Sequence, residues 1–204
     1  ITVDGGSTLN ITGGIKNSDW NNNGSTPGGF IKAGSGTLTL SGANSYSSGT
    51  TVDGGTLKIA GRNQLPANGG ITVATGATLL TDAPNDANTQ DISSTIILNG
   101  GTLAAGTGTP AQNFNGGNPV GPWGNFYMAP GASIQAGNNA TSAISAMLGL
   151  NGSGGYTPIN VDGGSTLDIS GNITGVGYLS YGGISKSGAG TLLLRGNNKG
   201  ASQG

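Results

Sequence analysis

Cysteine and histidine are absent from this chain of 204 residues, and only 7% of its side chains are charged. The lack of both residue types removes most nucleophilic triads and most zinc sites from consideration. Small extracellular domains often depend on disulfides, which this chain cannot form. If the chain is extracellular, it must therefore be held together by stacking alone.

Charge of either sign is scarce and balanced. Seven basic residues stand against eight acidic residues, for a net charge of -1. This balance predicts no basic surface that would bind nucleic acid or an anionic membrane. No apolar run approaches the ~20 residues that a membrane-spanning helix needs. There is no initiator methionine and no signal-peptide pattern at Ile1, so we expect an excised segment of a longer protein.

Glycine is abundant, and it recurs inside one repeated phrase. The 43 glycines follow no strict Gly-x-y period, which excludes collagen. The phrase reads apolar-x-Val-x-x-Gly-x-Thr-Leu-x-apolar, with copies at residues 1–11, 50–59, 71–80, 96–104 and 159–169. One such unit cannot bury its own apolar face and must stack on copies of itself, which is typical of a solenoid.

Side chains within the phrase alternate between two environments. In residues 50–59, Val52, Leu57 and Ile59 are predicted to point inward, whereas Asp53 and Lys58 point outward. This period of two is typical of half-buried strands. The Gly-Gly pair between the two strands predicts a corner, because positive φ is free of penalty only for glycine. The predicted fold class is all-β: a parallel β-helix (β-solenoid) with loop insertions.

The leucine of the Thr-Leu step marks one predicted inward column. Its shortest interval, 19 residues (57 − 38), is near one turn of a three-sided β-helix, and longer intervals contain loops. The expected members, in order, are Leu9, Leu38, Leu57, Leu79, Leu103, Ile134, Leu167 and Leu192. Asn44, Tyr46 and Asn63 are interpreted as further stack or corner residues.

Residues 139–149 are the one segment with helical spacing. Ile144, Met147 and Leu148 fall at i, i+3 and i+4, and Gly149 is a suitable stop. We therefore expect one short helix here, on the flank of the coil or as a plug in a wider turn.

A longer repeat is superimposed on the short phrase. Residues 1–11 match residues 159–169 at an offset of 158 (159 − 1), and residues 31–40 match residues 185–194 at an offset of 154 (186 − 32). We expect residues 1–204 to be a single β-helix segment cut from a tandem array. The period of that array is about 155 residues, and residues 1–40 resemble residues 159–194.

Residues 32–61 resemble a known module. Their Gly-x-Gly-Thr-Leu-Thr-Leu-Ser-Gly-x-Asn-x-Tyr-x-x-Gly-Thr core is similar to the autotransporter-associated β-strand repeat of bacterial passenger domains, and residues 184–198 carry a partial copy. The resemblance implies a right-handed β-helix, export across two membranes and display at the cell surface. It implies no catalytic residues.

One insertion is a candidate cation site. Asp82, Asp86 and Asp91 lie within residues 81–91, beside several side-chain amides. Oxygen ligands of this kind could hold a hard cation, although the spacing is not that of an EF-hand. The alternative is a solvated loop.

Three further acids occupy equivalent corners. Asp4, Asp53 and Asp162 all belong to a Val-Asp-Gly-Gly phrase. Stacked on one another, they could form a carboxylate ladder for Ca²⁺. The alternative is that Asp before Gly-Gly is ordinary turn chemistry, and we favour this one.

Two other insertions concentrate aromatic residues. Trp20, Phe114 and Trp123 lie among asparagine and glycine. Exposed, they could stack on sugar rings or on a partner protein. Folded back, they would form lids over the flank of the coil.

Together these features predict a non-enzymatic extracellular structural β-helix of a bacterial surface protein, attached at the outer membrane. It would form a stiff stalk or fibre and contribute to adhesion or cell-surface attachment. We expect no cofactor, no nucleic acid and no membrane insertion, with self-association, surface glycans or neighbouring cells as partners. The alternative is a carbohydrate-active or carbohydrate-binding β-helix that uses loop aromatics. A catalytic groove would need clustered Asp with Arg or Lys, and neither Arg62 nor Arg195 lies in an acidic phrase.

Overall fold

The computed structural model describes residues 1–17, 27–83, 88–108, 112–115, 118–122, 124–151, 155–176 and 182–198, with the backbone alone at 112–115 and 118–122. These residues form strands and turns and contain no helix. No membrane-spanning helix is therefore found in this part of the chain.

Short strands follow one another along the whole described chain. In chain order they are β1 (Thr8–Ile11), β2 (Phe30–Lys32), β3 (Thr37–Leu40), β4 (Thr50–Val52), β5 (Thr56–Ile59), β6 (Ile71–Ala74), β7 (Thr78–Thr81), β8 (Gln90–Ile92), β9 (Thr95–Asn99), β10 (Thr102–Ala105), β11 (Gln112–Asn115), β12 (Asn118–Pro122), β13 (Phe126–Met128), β14 (Ser133–Ala136), β15 (Thr141–Ile144), β16 (Leu148–Asn151), β17 (Tyr156–Val161), β18 (Thr166–Ile169), β19 (Ile173–Val176), β20 (Gly183–Ser187) and β21 (Thr191–Leu194).

The strands assemble into three parallel sheets that form the faces of a solenoid. One sheet has eight strands in the order β1-β3-β5-β7-β10-β15-β18-β21, and a second has seven in the order β2-β4-β6-β9-β14-β17-β20. The third face has four strands in the order β19-β16-β13-β8. Neighbours in each sheet come from successive coils of the chain. The prediction of an all-β parallel β-solenoid is confirmed.

One insertion adds a small sheet of its own. Strands β11 and β12 pair with each other in antiparallel fashion, outside the three parallel sheets.

The inward column exists over the first coils. Leu38 pairs with Leu57, Leu57 with Leu79, and Leu79 with Leu103, and all four side chains are fully buried. A fully buried leucine contributes roughly 1.5–3 kcal/mol through removal of apolar surface from water. The predicted alternation is also confirmed, because Lys58 lies between the buried Leu57 and Ile59 and is only partly covered.

The first coil lies at the open end of the column. Leu9 pairs with Leu38 in the expected register, yet 41% of its side chain is exposed. Among the described residues, only one neighbouring coil packs against it. Full burial of this leucine position therefore depends on a coil on both sides.

The prediction for Ile134 is wrong. Ile134 lies on β14 in the seven-stranded sheet, where it pairs with Ile96 and Ile159. Its place beside Leu103 is taken by Ile144 of β15. Ile134 directly follows the third-face strand β13, so it lies where the chain enters the seven-stranded sheet and not after the corner that leads into the eight-stranded sheet.

The predicted helix at residues 139–149 is also wrong. These residues form β15, a corner and the start of β16, and the buried Ile144 and Leu148 lie on different faces. Apolar residues four apart can therefore lie on either side of a corner. Ser142 occupies an inward position, where its hydroxyl donates to the Leu98 carbonyl (3.1 Å) and accepts from the Gly100 amide (3.0 Å). Pairing with β10 and β18 outweighs the local helical pattern.

Two adjacent leucines on β7 test the inward and outward assignment. Leu79→Ala should lower the free energy of unfolding by about 2–5 kcal/mol, because it opens a cavity in the column. Leu80→Ala removes the same atoms from the partly exposed outer face and should cost well under half as much. The measurement is urea denaturation followed by circular dichroism. Equal losses in the two variants would contradict the assignment.

Candidate functional site

A buried lysine links two coils at a corner of the solenoid. Lys32 lies on β2, and its side chain is fully buried. Its Nζ atom donates to the carbonyls of Gly34 (2.6 Å), Gly36 (2.6 Å) and Gly54 (2.7 Å). An ammonium group has three donors, so each one finds an acceptor. We call this arrangement the lysine clamp: Lys32 with the carbonyls of Gly34, Gly36 and Gly54.

The backbone register explains why Lys32 is buried. Lys32 pairs with Val52, an inward position in the next coil. The side chain must therefore enter the core, and its ammonium group turns back towards the corner carbonyls. Gly34 makes this corner possible: its φ is +78°, and an added Cβ atom would collide with the Val3 carbonyl. Two carbonyls of the clamp come from the coil of Lys32, and Gly54 belongs to the following coil.

Burial also changes the titration of this group. Removal from water disfavours the charged form and lowers the pKa of Lys32 below 10.5. The three carbonyl oxygens oppose this effect, because they accept hydrogen bonds from the ammonium group. Because all three donors of this buried ammonium group are satisfied, its hydrogen bonds fix the backbone of the corner. Loss of its acceptors would lower the free energy of unfolding.

Side-chain amides supply hydrogen bonds between coils along the third side. Asn44 accepts from the Ile15 amide (2.8 Å) and donates to the Gln64 carbonyl (2.9 Å). Asn125 accepts from the Met147 amide (3.0 Å) and donates to the Asn88 carbonyl (3.2 Å). Each amide bridges backbone groups of the coils on either side of it. These contacts replace strand pairing where the chain turns.

Tyr46 fills the same side of the early coils. The ring is buried beside Phe30, with ring centroids 6.0 Å apart, and its hydroxyl lies 2.7 Å from the Thr50 hydroxyl. Burial raises the pKa of Tyr46 above 10.0, and the hydrogen bond to Thr50 partly opposes the shift. The interpretation of Asn44 and Tyr46 as stack residues agrees with these contacts.

The candidate cation site is only partly described. Asp82 forms an ion pair with Lys58 (2.6 Å), and this partner lowers the pKa of the carboxyl group. Asp91 accepts from the Asn63 side-chain amide (2.6 Å), and Asn63 itself has a positive φ of 50° at a corner. Asp86 lies outside the described residues. Within the described ranges no three acidic side chains cluster, so the three-aspartate site stays a prediction.

The corner aspartates serve turns. Asp53 follows Val52, whose register partners Lys32 and Val73 are followed by Ala33 and Ala74, so no carboxylate occupies the equivalent corner position on either neighbouring coil. The carbonyls of Asp4 and Asp162 accept from Ser7 and Ser165, three residues further on. The turn interpretation, rather than a carboxylate ladder, fits these contacts.

The aromatic candidates lie mainly outside the described residues. This is true of Trp20 and Trp123. Phe114 is on β11, where its backbone pairs with Pro119 of β12. A ligand surface formed by these three residues stays a prediction.

The residues of the lysine clamp coincide with a family match. The passenger-associated-transport-repeat family matches residues 30–59 and 184–200. These ranges overlap residues 32–61 and 184–198, which resemble autotransporter repeats by sequence. Both stretches therefore carry repeats of the autotransporter passenger type. The resemblance is confirmed, and with it the placement of this solenoid at the bacterial cell surface, outside the cell. The first matched stretch contains Lys32, and the second contains its counterpart, Lys186.

A curated relative supports the same assignment. The chain is 29% identical to the adhesin BmaC autotransporter of Brucella suis biovar 1 (strain 1330), in an alignment over 272 residues that covers 97% of this chain. The chain spans only 8% of the length of that relative. No solved structure matches the chain.

Sequence reasoning missed Lys32. The repeated phrase assigns no role to a lysine among small polar residues. A signal was present, because lysine recurs two residues before Gly-x-Gly-Thr-Leu in both matched stretches, at Lys32 and Lys186.

The lysine clamp predicts a strong contrast between two lysines. Lys32→Met keeps the buried stem but removes the ammonium donor from the three clamp carbonyls. The Gly36 carbonyl keeps a second donor, the Thr56 amide (3.1 Å), so the loss falls mainly on the Gly34 and Gly54 carbonyls and should cost about 2–4 kcal/mol of unfolding free energy. Lys58→Met removes only the partly exposed ion pair with Asp82 and should cost about 1 kcal/mol or less. Urea denaturation of both variants is the measurement. A Lys32→Met variant as stable as Lys58→Met would show that the clamp does not hold the corner.

Proposed function

We propose that this chain is a non-enzymatic structural segment of a bacterial surface adhesin. It acts as a stiff rod that extends away from the cell and contributes to adhesion. The observation that carries the proposal is the eight-stranded parallel sheet, which runs from β1 to β21 and is the length of the described solenoid. Each added coil lengthens such a rod by roughly 4.8 Å.

Contacts between coils support stiffness. The lysine clamp ties the Lys32 coil to the Gly54 coil, and the amide of Asn44 ties the Ile15 and Gln64 segments. These bonds lie at corners, where a stack of short strands would otherwise bend most easily. A rod braced at both strands and corners resists bending better than one held by strands alone.

The charged side chains support a structural role. Lys58 pairs with Asp82, and Arg195 pairs with Asp168 at 2.9 Å. A carbohydrate-active groove would instead bring several carboxylates together, and no such group of three occurs among the described residues. We therefore propose that the chain contributes through its shape and its surface.

The relative supports adhesion as the biological outcome. That protein is named an adhesin and an autotransporter. We propose that the rod contacts other surfaces through its loop insertions, with Trp20, Phe114 and Trp123 as the contact residues. The same insertions could instead present glycan-binding aromatics, and the experiment below separates the two.

Adhesion can be tested with beads coated with the purified chain at equal density and incubated with cultured epithelial cells. Beads that carry the wild-type chain should bind severalfold more often than beads that carry an unrelated β-rich protein. The matched pair Leu79→Asp and Leu80→Asp tests whether binding requires the folded solenoid, because only the first variant places a charge in the buried column. Leu79→Asp should lose binding, and Leu80→Asp should retain it.

Two further arms locate the contact. A Trp20→Ala, Trp123→Ala double variant should bind less, if the aromatic insertions make the contact. Free glycans that abolish wild-type binding would select the carbohydrate-binding alternative. Wild-type beads that bind no better than the unrelated protein would contradict a contribution to adhesion.

A further inference from the structure

The two ends of the chain build the same pair of coils. Near the start, Thr8, Leu9, Asn10 and Ile11 pair with Thr37, Leu38, Thr39 and Leu40. Near the end, Thr166, Leu167, Asp168 and Ile169 pair with Thr191, Leu192, Leu193 and Leu194. The offsets between these two sets are those of the long sequence repeat. We call them the first coil pair (residues 1–11 with 30–40) and the last coil pair (residues 157–169 with 183–194).

Contacts beyond the strands are also duplicated. The amide of Gly36 donates to Val3 (2.9 Å), and that of Gly190 donates to Val161 (2.8 Å). The Ile15 amide donates to the Asn44 side chain (2.8 Å), just as the Ile173 amide donates to Asn198 (3.1 Å). The two coil pairs therefore share their corners as well as their strands.

A third coil covers the first coil pair, whereas among the described residues no coil follows the last coil pair. The Gly54 carbonyl of that third coil completes the lysine clamp. The Gln64 carbonyl further along it accepts from the Asn44 side chain. In the last coil pair, Lys186 is exposed, and its Nζ atom donates to the Gly188 carbonyl (2.5 Å). Among the described residues it has no acceptor on a following coil.

The apolar side chains show the same difference. Leu38 and Leu40 are fully buried under the third coil. Their counterparts in the last coil pair are Leu192, which is half-buried, and Leu194, which is 46% exposed. The last coil pair therefore presents inward leucines, an exposed ammonium group and a free strand edge on one surface.

We propose that this surface is the seat of one particular further coil, of the type formed by residues 45–65. The strand of Thr50–Val52 type would pair with β20, and the strand of Thr56–Ile59 type would pair with β21. The carbonyl equivalent to that of Gly54 would reach Lys186 and complete a second lysine clamp. The choice of this occupant follows from the repeat, because the equivalent surface at residues 30–40 is covered by this coil within the same chain.

This inference deepens the rod proposal, since it defines how units of the proposed tandem array join. It does not depend on adhesion. The rod could fail to bind cells and still extend in this way. Conversely, if no further coil packs on this surface, the expected result of the bead experiment is unchanged.

The seat can be tested by extension. A copy of residues 45–65 is joined after Asn198 in place of residues 199–204, and amide hydrogen exchange is measured over residues 183–198. The extension should slow exchange there by about tenfold or more, because it supplies strand partners and an acceptor for a charged donor. A control extension carries Asp at the positions copied from Val52 and Leu57, and it should give no slowing.

Lys186→Met shows whether the clamp forms. In the original chain this substitution should leave exchange over residues 183–198 within about twofold of wild type, because Lys186 is exposed. In the extended chain it should remove most of the added protection. The proposal is overturned if the extension gives no more protection than its Asp control. It is also overturned if Lys186→Met has the same effect in both chains, or if the original chain self-associates and gains the same protection from a second copy.

Discussion

The register between successive coils is the constraint on which this structure depends. A parallel strand can bond to its neighbour only if the chain returns to the same place one coil later. Insertions of different lengths must therefore begin and end at the same corner. Leu57 finds Leu79 above it only because the intervening residues, including the corner at Gly76, bring the chain back in phase. A shift by one residue would turn every inward leucine towards water.

The register tolerates a displacement of two residues, and one such displacement occurs at β15. Between β10 and β15, Leu103 pairs with Ile144, whereas between β15 and β18 Ser142 pairs with Leu167. A displacement of two residues keeps each side chain on its own face. The column therefore continues through Ile144, and the serine hydroxyl is satisfied by backbone groups of β9 and its corner. The displacement of two residues is absorbed at the corners, and the inward side chains of the sheets remain buried.

Corners supply hydrogen-bond partners for buried polar groups. The ammonium group of Lys32 is surrounded by carbonyls, and side-chain amides such as Asn44 and Asn125 bond to backbone above and below them. Because these bonds cross from one coil to the next, they fix spacing as well as satisfy buried donors. At the last coil pair, Lys186 and Asn198 occupy the places of Lys32 and Asn44.

Much of the fold could be predicted from the sequence because the period of two is local. The inward positions of Val52, Leu57 and Ile59 follow from alternation, and they are buried as predicted. The predictions for Ile134 and for a helix at residues 139–149 were wrong because the third face has no repeated phrase. Its strands β13, which precedes Ile134, and β16, which contains the end of the supposed helix, therefore give no local signal. Only the coil-to-coil register assigns its strands. Lys32 could not be found from polarity, since a lysine in a strand normally faces water, and its burial depends on carbonyls from two coils.

Disulfide trapping in this cysteine-free chain tests the register most directly. Thr51 and Thr72 are outward-facing partners on adjacent coils, whereas Thr72 pairs in turn with Ile97 on the coil beyond. Adjacent coils lie roughly 4.8 Å apart, within the Cα separation that a disulfide spans, and two coils exceed its limit of about 7 Å. Mild oxidation should close a disulfide in the Thr51→Cys, Thr72→Cys variant and leave the Thr51→Cys, Ile97→Cys variant reduced. Equal closure in both variants, or closure in the second alone, would contradict the stacked register.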